Sequence, residues 1–186
     1  MGKLRAQYGF TLVELMTVLL VAAILLAVAV PAYRTFVLNS QLTNAVGDIS
    51  AMIGRARSEA ISRYRPVTIC GSSAPDACDT AATDLSGGWL MFVDDGAGSG
   101  GIAGDQDLNG TEEIIQVGGA VPESSSLALT GFGSVRAVTF DRSGLLGAGG
   151  ALVYCDERGE EFRRAINVSM SGQVRVATDT TGFTCP

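Results

Sequence analysis

The run FTLVELMTVLLVAAILLAVAV, residues 10 to 30, holds one charged side chain, Glu14, among 21 positions. A helix rising 1.5 Å per residue over that length measures roughly 31 Å, close to the bilayer core of about 30 Å. The segment therefore predicts a single membrane span. A secretory signal peptide would carry a shorter apolar core followed by a small-residue cleavage site. Here Ala29-Val30-Pro31-Ala32 leads straight into further helical sequence. Lys3 and Arg5 precede the span, so the positive-inside rule predicts a cytoplasmic N-terminus and sends the remainder across the membrane.

A carboxylate at the centre of a lipid-exposed helix costs roughly 2.5–3.5 kcal/mol, so Glu14 needs a partner or a route to the headgroups. Its own segment contains no cation. In one reading Glu14, near the cytoplasmic end, snorkels to the interface. In the other, a cut between Gly9 and Phe10 creates a new amine. The amine of Phe10 in one subunit then meets Glu14 of a neighbour where helices stack side by side, which makes Glu14 an assembly residue.

Composition narrows the chemistry. There is no histidine in 186 residues, which removes Ser-His and Cys-His nucleophile pairs, His general bases and His metal ligands together. No nucleophile with a base is evident, and Asp94 and Asp95 are adjacent in a loop-like stretch, so the chain reads as a non-enzyme without a cofactor. The net charge of −6 is unevenly spread: residues 66 to 135 hold ten acidic side chains and no basic one. Arg55, Arg57, Arg63 and Arg65 cluster against the single Glu59, which lies four residues from both Arg55 and Arg63.

Four cysteines lie at positions 70, 78, 155 and 185. They lack C-x-x-C spacing, and on the far side of a membrane they read as two disulfides in an oxidising compartment such as the periplasm. Three connectivities exist. Cys70 with Cys78 and Cys155 with Cys185 is favoured because each pair is local. The second closes a loop of about 30 residues, for which the chain-entropy model gives roughly 3–4 kcal/mol.

The short basic leader, Gly9, the hexapeptide Phe10-Thr11-Leu12-Val13-Glu14-Leu15 and the apolar run ending at Pro31 resemble the class III signal of type IV pilins and type II secretion pseudopilins. The resemblance implies cleavage after Gly9 by prepilin peptidase, N-methylation of Phe10, and docking of Glu14 into a helical filament of other pilins or pseudopilins. It further implies an inner-membrane assembly platform as partner.

Beyond the span, apolar residues at 38, 42, 45, 46, 49, 52, 53, 56 and 60 recur every three or four positions, the mark of an amphipathic helix. Pro66 should end it by pushing Arg65 out of helical geometry, and Pro31 is the place for a bend. Short apolar runs then alternate with Gly, Ser and Asp clusters and read as strands: 67–70, 89–93, 114–117, 127–130, 135–140, 152–155, 165–170 and 174–177. For the last hairpin, face purity favours a three-residue loop, Ser171 to Gln173, with Val168 opposite Val176. The glycine-rich stretch 96–104 reads as a flexible loop.

Ala56-Arg57-Ser58-Glu59-Ala60-Ile61, Gly88-Trp89-Leu90-Met91-Phe92-Val93-Asp94 and Gly-x-Val-Arg-Val at 172–176 resemble the GspH/FimT group of minor pilins and pseudopilins. That group implies an α+β fold, a long N-terminal helix packed on a β-rich head, present in few copies near the filament tip. The expected organisation is a leader at 1–9, a transmembrane and assembly half-helix at 10–30, an amphipathic half-helix at 31–65 and a periplasmic head at 66–186.

Two further sites compete with plain structural readings. Asp105, Asp107 and Asn109, with Gly110 at the sixth position, resemble the start of an EF-hand calcium loop, but the twelfth position is Gln116, which cannot supply the bidentate carboxylate. Arg163, Arg164 and Arg175 are DNA-binding candidates, since some family members hold DNA with a C-terminal Gly-Arg-x-Arg. Here Gly172-Gln173-Val174-Arg175 keeps one of the two arginines, and Asp156, Glu157, Glu160 and Glu161 dilute the cations that phosphate binding accumulates. The reading that results is a minor pilin or pseudopilin subunit that initiates or caps filament assembly, with a DNA receptor for natural transformation as the alternative.

Overall fold

The computed structural model describes residues 9–79, 81–97, 102–109, 111–134 and 136–185. The leader with Lys3 and Arg5, the middle of the glycine-rich stretch, Gly110 and Val135 lie outside the described residues. The chain divides into two units, Met1–Gln41 and Leu42–Pro186.

Helix α1, Leu12–Arg63, begins in the first unit. Thr11 caps it: the Glu14 amide donates to Thr11 Oγ1 at 3.2 Å and the Leu15 amide to the Thr11 carbonyl at 3.1 Å. The helix continues through Pro31, whose carbonyl accepts the Thr35 hydroxyl at 3.2 Å. Large apolar side chains from Phe10 to Phe36 are exposed, and this is the one helix among the described residues long and apolar enough to cross a membrane.

In the second unit the three-and-four spacing has its expected consequence. Leu42, Ile49, Met52, Ile53, Ala56 and Ala60 are buried in the main core, with Ala45 and Val46 packed beside them. The helix stops at Arg63, and Tyr64 takes a left-handed backbone (φ 55°) that lets the Arg65 amide reach the Ala60 carbonyl at 3.3 Å. This is the closure a glycine usually makes; Pro66 follows it.

Among the described residues eight strands form two four-stranded antiparallel sheets. The first has the order β3 (Ile114–Gly118), β2 (Trp89–Val93), β1 (Val67–Gly71), β5 (Ala137–Phe140). The second has the order β4 (Ser126–Thr130), β6 (Gly150–Cys155), β7 (Arg164–Val168), β8 (Val174–Val176). Strand alternation sends Val67, Ile69, Met91, Val138 and Phe140 of one sheet, and Leu127, Leu129, Leu152, Ile166 and Val168 of the other, into one core with α1.

The outer faces are covered as well. Cys70, Leu90, Phe92 and Ala137 lie under Leu108 and Cys78, while Val153, Cys155 and Ala165 lie under Ala177, Phe183 and Cys185. Disulfides join Cys70 to Cys78 and Cys155 to Cys185. Two-sided burial explains why β1 and β2 read as continuous apolar runs rather than alternating ones.

The last hairpin differs from the sequence expectation. Val168 pairs with Val174 and Asn167 with Arg175, so the loop is Met170 to Gly172, one residue earlier than expected, closed by the Ser169 amide on the Gln173 carbonyl at 3.0 Å. Face purity allows either register, because they differ by two residues. The backbone chooses: a three-residue loop needs a left-handed third residue, and Gly172 (φ 72°) supplies it.

Candidate assembly site

Gly9 and Phe10 lie in non-helical backbone ahead of the cap, and both are exposed, Phe10 at 84%. A Cβ placed on Gly9 would meet nothing within 4 Å. The peptide bond between them is thus non-helical and open to solvent. Glu14 follows in the first helical turn, where the free amides and the helix dipole favour a negative charge by about 0.3–1 kcal/mol.

Thr11-Leu12-Val13-Glu14 has the spacing of a capping box, and its hydroxyl-to-amide half is formed. Sequence reasoning treated Glu14 as a charge without a local partner and overlooked Thr11; a T-x-x-E ahead of an apolar run was the signal available. Glu14 thus stands in an exposed, capped first turn. Its backbone amide takes the Thr11 cap, and its carboxylate lies in that exposed turn.

The other candidates are placed differently. Asp105 accepts the amide of Asp107 at 3.0 Å and the side-chain amide of Asn109 at 3.1 Å, while Asp107 accepts Arg136 at 2.9 Å. Asp94, fully buried, accepts the amides of Gly104 and Gln106 and the hydroxyl of Thr68. Burial pushes the Glu112 carboxyl up, against the amides of Asn109 and Gly96 that it accepts and with the charges of Asp94 and Asp105. The loop's oxygens are thus largely engaged in folding the loop. Among the described residues no group of three or more His, Cys, Asp or Glu converges as a metal site.

The C-terminal arginines do not form one patch. Arg163 pairs with Glu160 and donates to the Thr180 carbonyl at 3.1 and 2.9 Å. Arg164 donates to the carbonyls of Phe162 and Arg163. Arg164 shares the face of Ile166 and Val168 on β7, whereas Arg175 lies opposite Asn167 and hence on the other face. Arg158, bound to Asp156 and stacked 4.0 Å from the Phe162 ring centroid, is likewise structural.

Comparison with known proteins agrees with this geometry. The family model described as Type II transport protein GspH matches residues 45–172, and that of the prokaryotic N-terminal methylation motif matches residues 4–30. A fimbrial protein of Pseudomonas aeruginosa is 32% identical over 128 residues, 69% of this chain and 77% of that protein. Fimbrial protein Q of Moraxella bovis is 48% identical over 48 residues, 26% of this chain and 31% of that protein. The crystal structure of the type IV minor pilin FimU of Pseudomonas aeruginosa superposes with a TM-score of 0.55 at 18% identity, covering 76% of this chain and 92% of that one. That likeness shows the fold, a long helix on antiparallel sheets. With both family models matched in order along its length, the chain belongs to the GspH family of type IV pilin-like structural subunits.

Proposed function

We propose that this chain is an inner-membrane prepilin, cut after Gly9 by prepilin peptidase and methylated on Phe10, that enters a type IV pilus or type II secretion pseudopilus as a minor subunit initiating or capping assembly. The observation that carries this reading is the open Gly9–Phe10 bond set directly before a Thr11-capped helix with Glu14 in its first turn and bare apolar sides beyond. On this reading residues 1–9 are the cytoplasmic leader, 10–30 the transmembrane and assembly half-helix, 31–65 the amphipathic half and 66–186 the periplasmic head. The assembly platform extracts the subunit, and side chains of residues 10–30 exchange lipid for neighbouring helices. Glu14 meets the Phe10 amine of an adjacent subunit, and charge neutralisation fixes the axial register.

Intact mass of the protein from cells with and without prepilin peptidase tests this, alongside Glu14→Ala scored in sheared filaments. The expected result is a mass beginning at methylated Phe10 only when the peptidase is present, with Glu14→Ala processed but missing from filaments. A chain that retains its leader in peptidase-positive cells overturns the reading.

A further inference from the structure

The start of α1 is set by one side chain. In an uninterrupted α-helix each amide donates to the carbonyl four residues back, which would give the Val13 amide to the Gly9 carbonyl and the Glu14 amide to the Phe10 carbonyl. The Glu14 amide instead donates to Thr11 Oγ1 at 3.2 Å. Among the described residues the first backbone bond of the helix runs from the Leu15 amide to the Thr11 carbonyl at 3.1 Å. Gly9 and Phe10 accordingly stay outside the helix.

The medium favours the opposite. Where apolar surroundings exclude water, a backbone amide without an acceptor is costly, and a further helical turn supplies one. Phe10, Leu12 and Val13 are all apolar, so the hydrophobic pattern marks no boundary at this point. The Thr11 hydroxyl serves the Glu14 amide and removes the incentive to extend. Gly9, a poor helix former, acts in the same direction. A Cβ there would meet nothing within 4 Å, so no close contact calls for the glycine.

Resting on the prepilin reading, we propose that Thr11 is a positioning residue for removal of the leader: its hydroxyl holds the start of α1 at Leu12 and so presents the Gly9–Phe10 bond to the peptidase in non-helical form. Hydrolysis adds water to the Gly9 carbonyl carbon and breaks its bond to the Phe10 nitrogen, leaving a carboxylate on Gly9 and an ammonium on Phe10. In a continued helix that carbonyl is engaged by the Val13 amide. Helical and open forms of the segment exchange, and an enzyme that takes the open form binds with an affinity reduced by the open fraction. Loss of the cap therefore shows in KM rather than in kcat.

Purified prepilin peptidase acting on the full chain in detergent micelles tests this. Thr11→Val removes the hydroxyl and keeps the shape; KM should rise at least about threefold while kcat stays within about twofold. Thr11→Ser and Thr11→Asn, which both cap, should restore the wild-type KM. The carbon chemical shifts of Phe10 should move toward helical values in Thr11→Val and not in the other two. A wild-type KM in Thr11→Val overturns the proposal, as does a fall confined to kcat or an unmoved Phe10 signal. A defect that Ser corrects and Asn does not overturns it too, because that marks a peptidase subsite shaped for the hydroxyl. Cleavage of the wild-type chain separates the two readings. Cut after Gly9 with Thr11→Val unimpaired, the positioning role alone fails; left uncut, the prepilin reading fails with it.

Discussion

Thr68 donates its hydroxyl to Asp94 at 2.6 Å, and both residues are fully buried on the outer side of the first sheet. The carboxylate also accepts the amides of Gly104 at 2.7 Å and Gln106 at 3.0 Å, so one side chain at the end of β2 anchors the following acidic loop to β1. Asp94 is the last residue of the Trp-Leu-Met-Phe-Val-Asp motif, and its role is to fold the loop.

Replacing Asp94 with Ala strands the Gln106 amide, while the Gly104 amide keeps the residue-94 carbonyl at 3.0 Å and the Thr68 hydroxyl can turn to Thr139 Oγ1 at 2.8 Å. We expect a loss of about 1–3 kcal/mol, the cost of one stranded buried donor. Denaturant unfolding of the full chain in detergent reads this through Trp89, the sole tryptophan. A change below 0.5 kcal/mol, the usual range for surface sites, would mean that solvent already serves these groups.

The two disulfides should differ in weight. The chain-entropy model assigns about 2.5 kcal/mol to the 8-residue separation of Cys70–Cys78 and about 3.6 kcal/mol to the 30-residue separation of Cys155–Cys185. Each bond also pins a covering element, Cys78 over the first sheet and the C-terminal tail over the second. Paired Cys→Ala variants should lower the unfolding free energy in that order. In the second variant, exchange of the Ala177 amide, held by the Ala165 carbonyl at 2.8 Å, should also quicken. Equal losses with unchanged exchange would count against the strap role of the tail.

Much of this fold is legible in the sequence because burial leaves a period. The helix spacing from Leu42 to Ala60 and the runs at β1, β2 and β6 are written directly in apolar residues. What periodicity cannot express is where the backbone must turn left-handed. Gly172 decided the β7–β8 register against a choice that kept the faces equally pure, and Tyr64 ended α1 where no glycine marks a stop. The arginines were legible as charges but not as neighbours: strand parity separates Arg164 from Arg175, and only the pairing of β7 with β8 shows it.

Two acids should pull the pH dependence of stability in opposite directions. Burial alone would raise Asp156, but hydrogen bonds and charge from Arg158 outweigh it and hold the carboxyl below its usual range. That stabilisation is present above the unfolded pKa, about 3.9, and is lost as pH falls through the folded value. Glu112 is raised, chiefly by burial, so its contribution is present at low pH and is lost as pH climbs from about 4.3 through the folded value. Asp156→Asn should flatten the acid-side fall, and Glu112→Gln should gain on wild type as pH rises past about 4.3. Parallel wild-type and variant curves would remove these groups as causes.

Trp89 lies directly across from Gly118, and its indole covers the glycine so closely that a Cβ there would fall 2.0 Å from Cε2 and 2.3 Å from Nε1. The backbone of Gly118 is not left-handed, so the glycine is needed for the approach of the ring rather than for its conformation. The ring in turn packs on the edge of the main core. Gly118→Ala must therefore displace the indole, at a cost of about 1–3 kcal/mol for overpacking, and shift its emission to the red as the ring meets water. The neighbouring Gly119→Ala is the control, because a Cβ there meets nothing within 4 Å and the change should stay within about 0.5 kcal/mol. If both variants behave alike, the indole has room to move and Gly118 is a glycine by history rather than by contact.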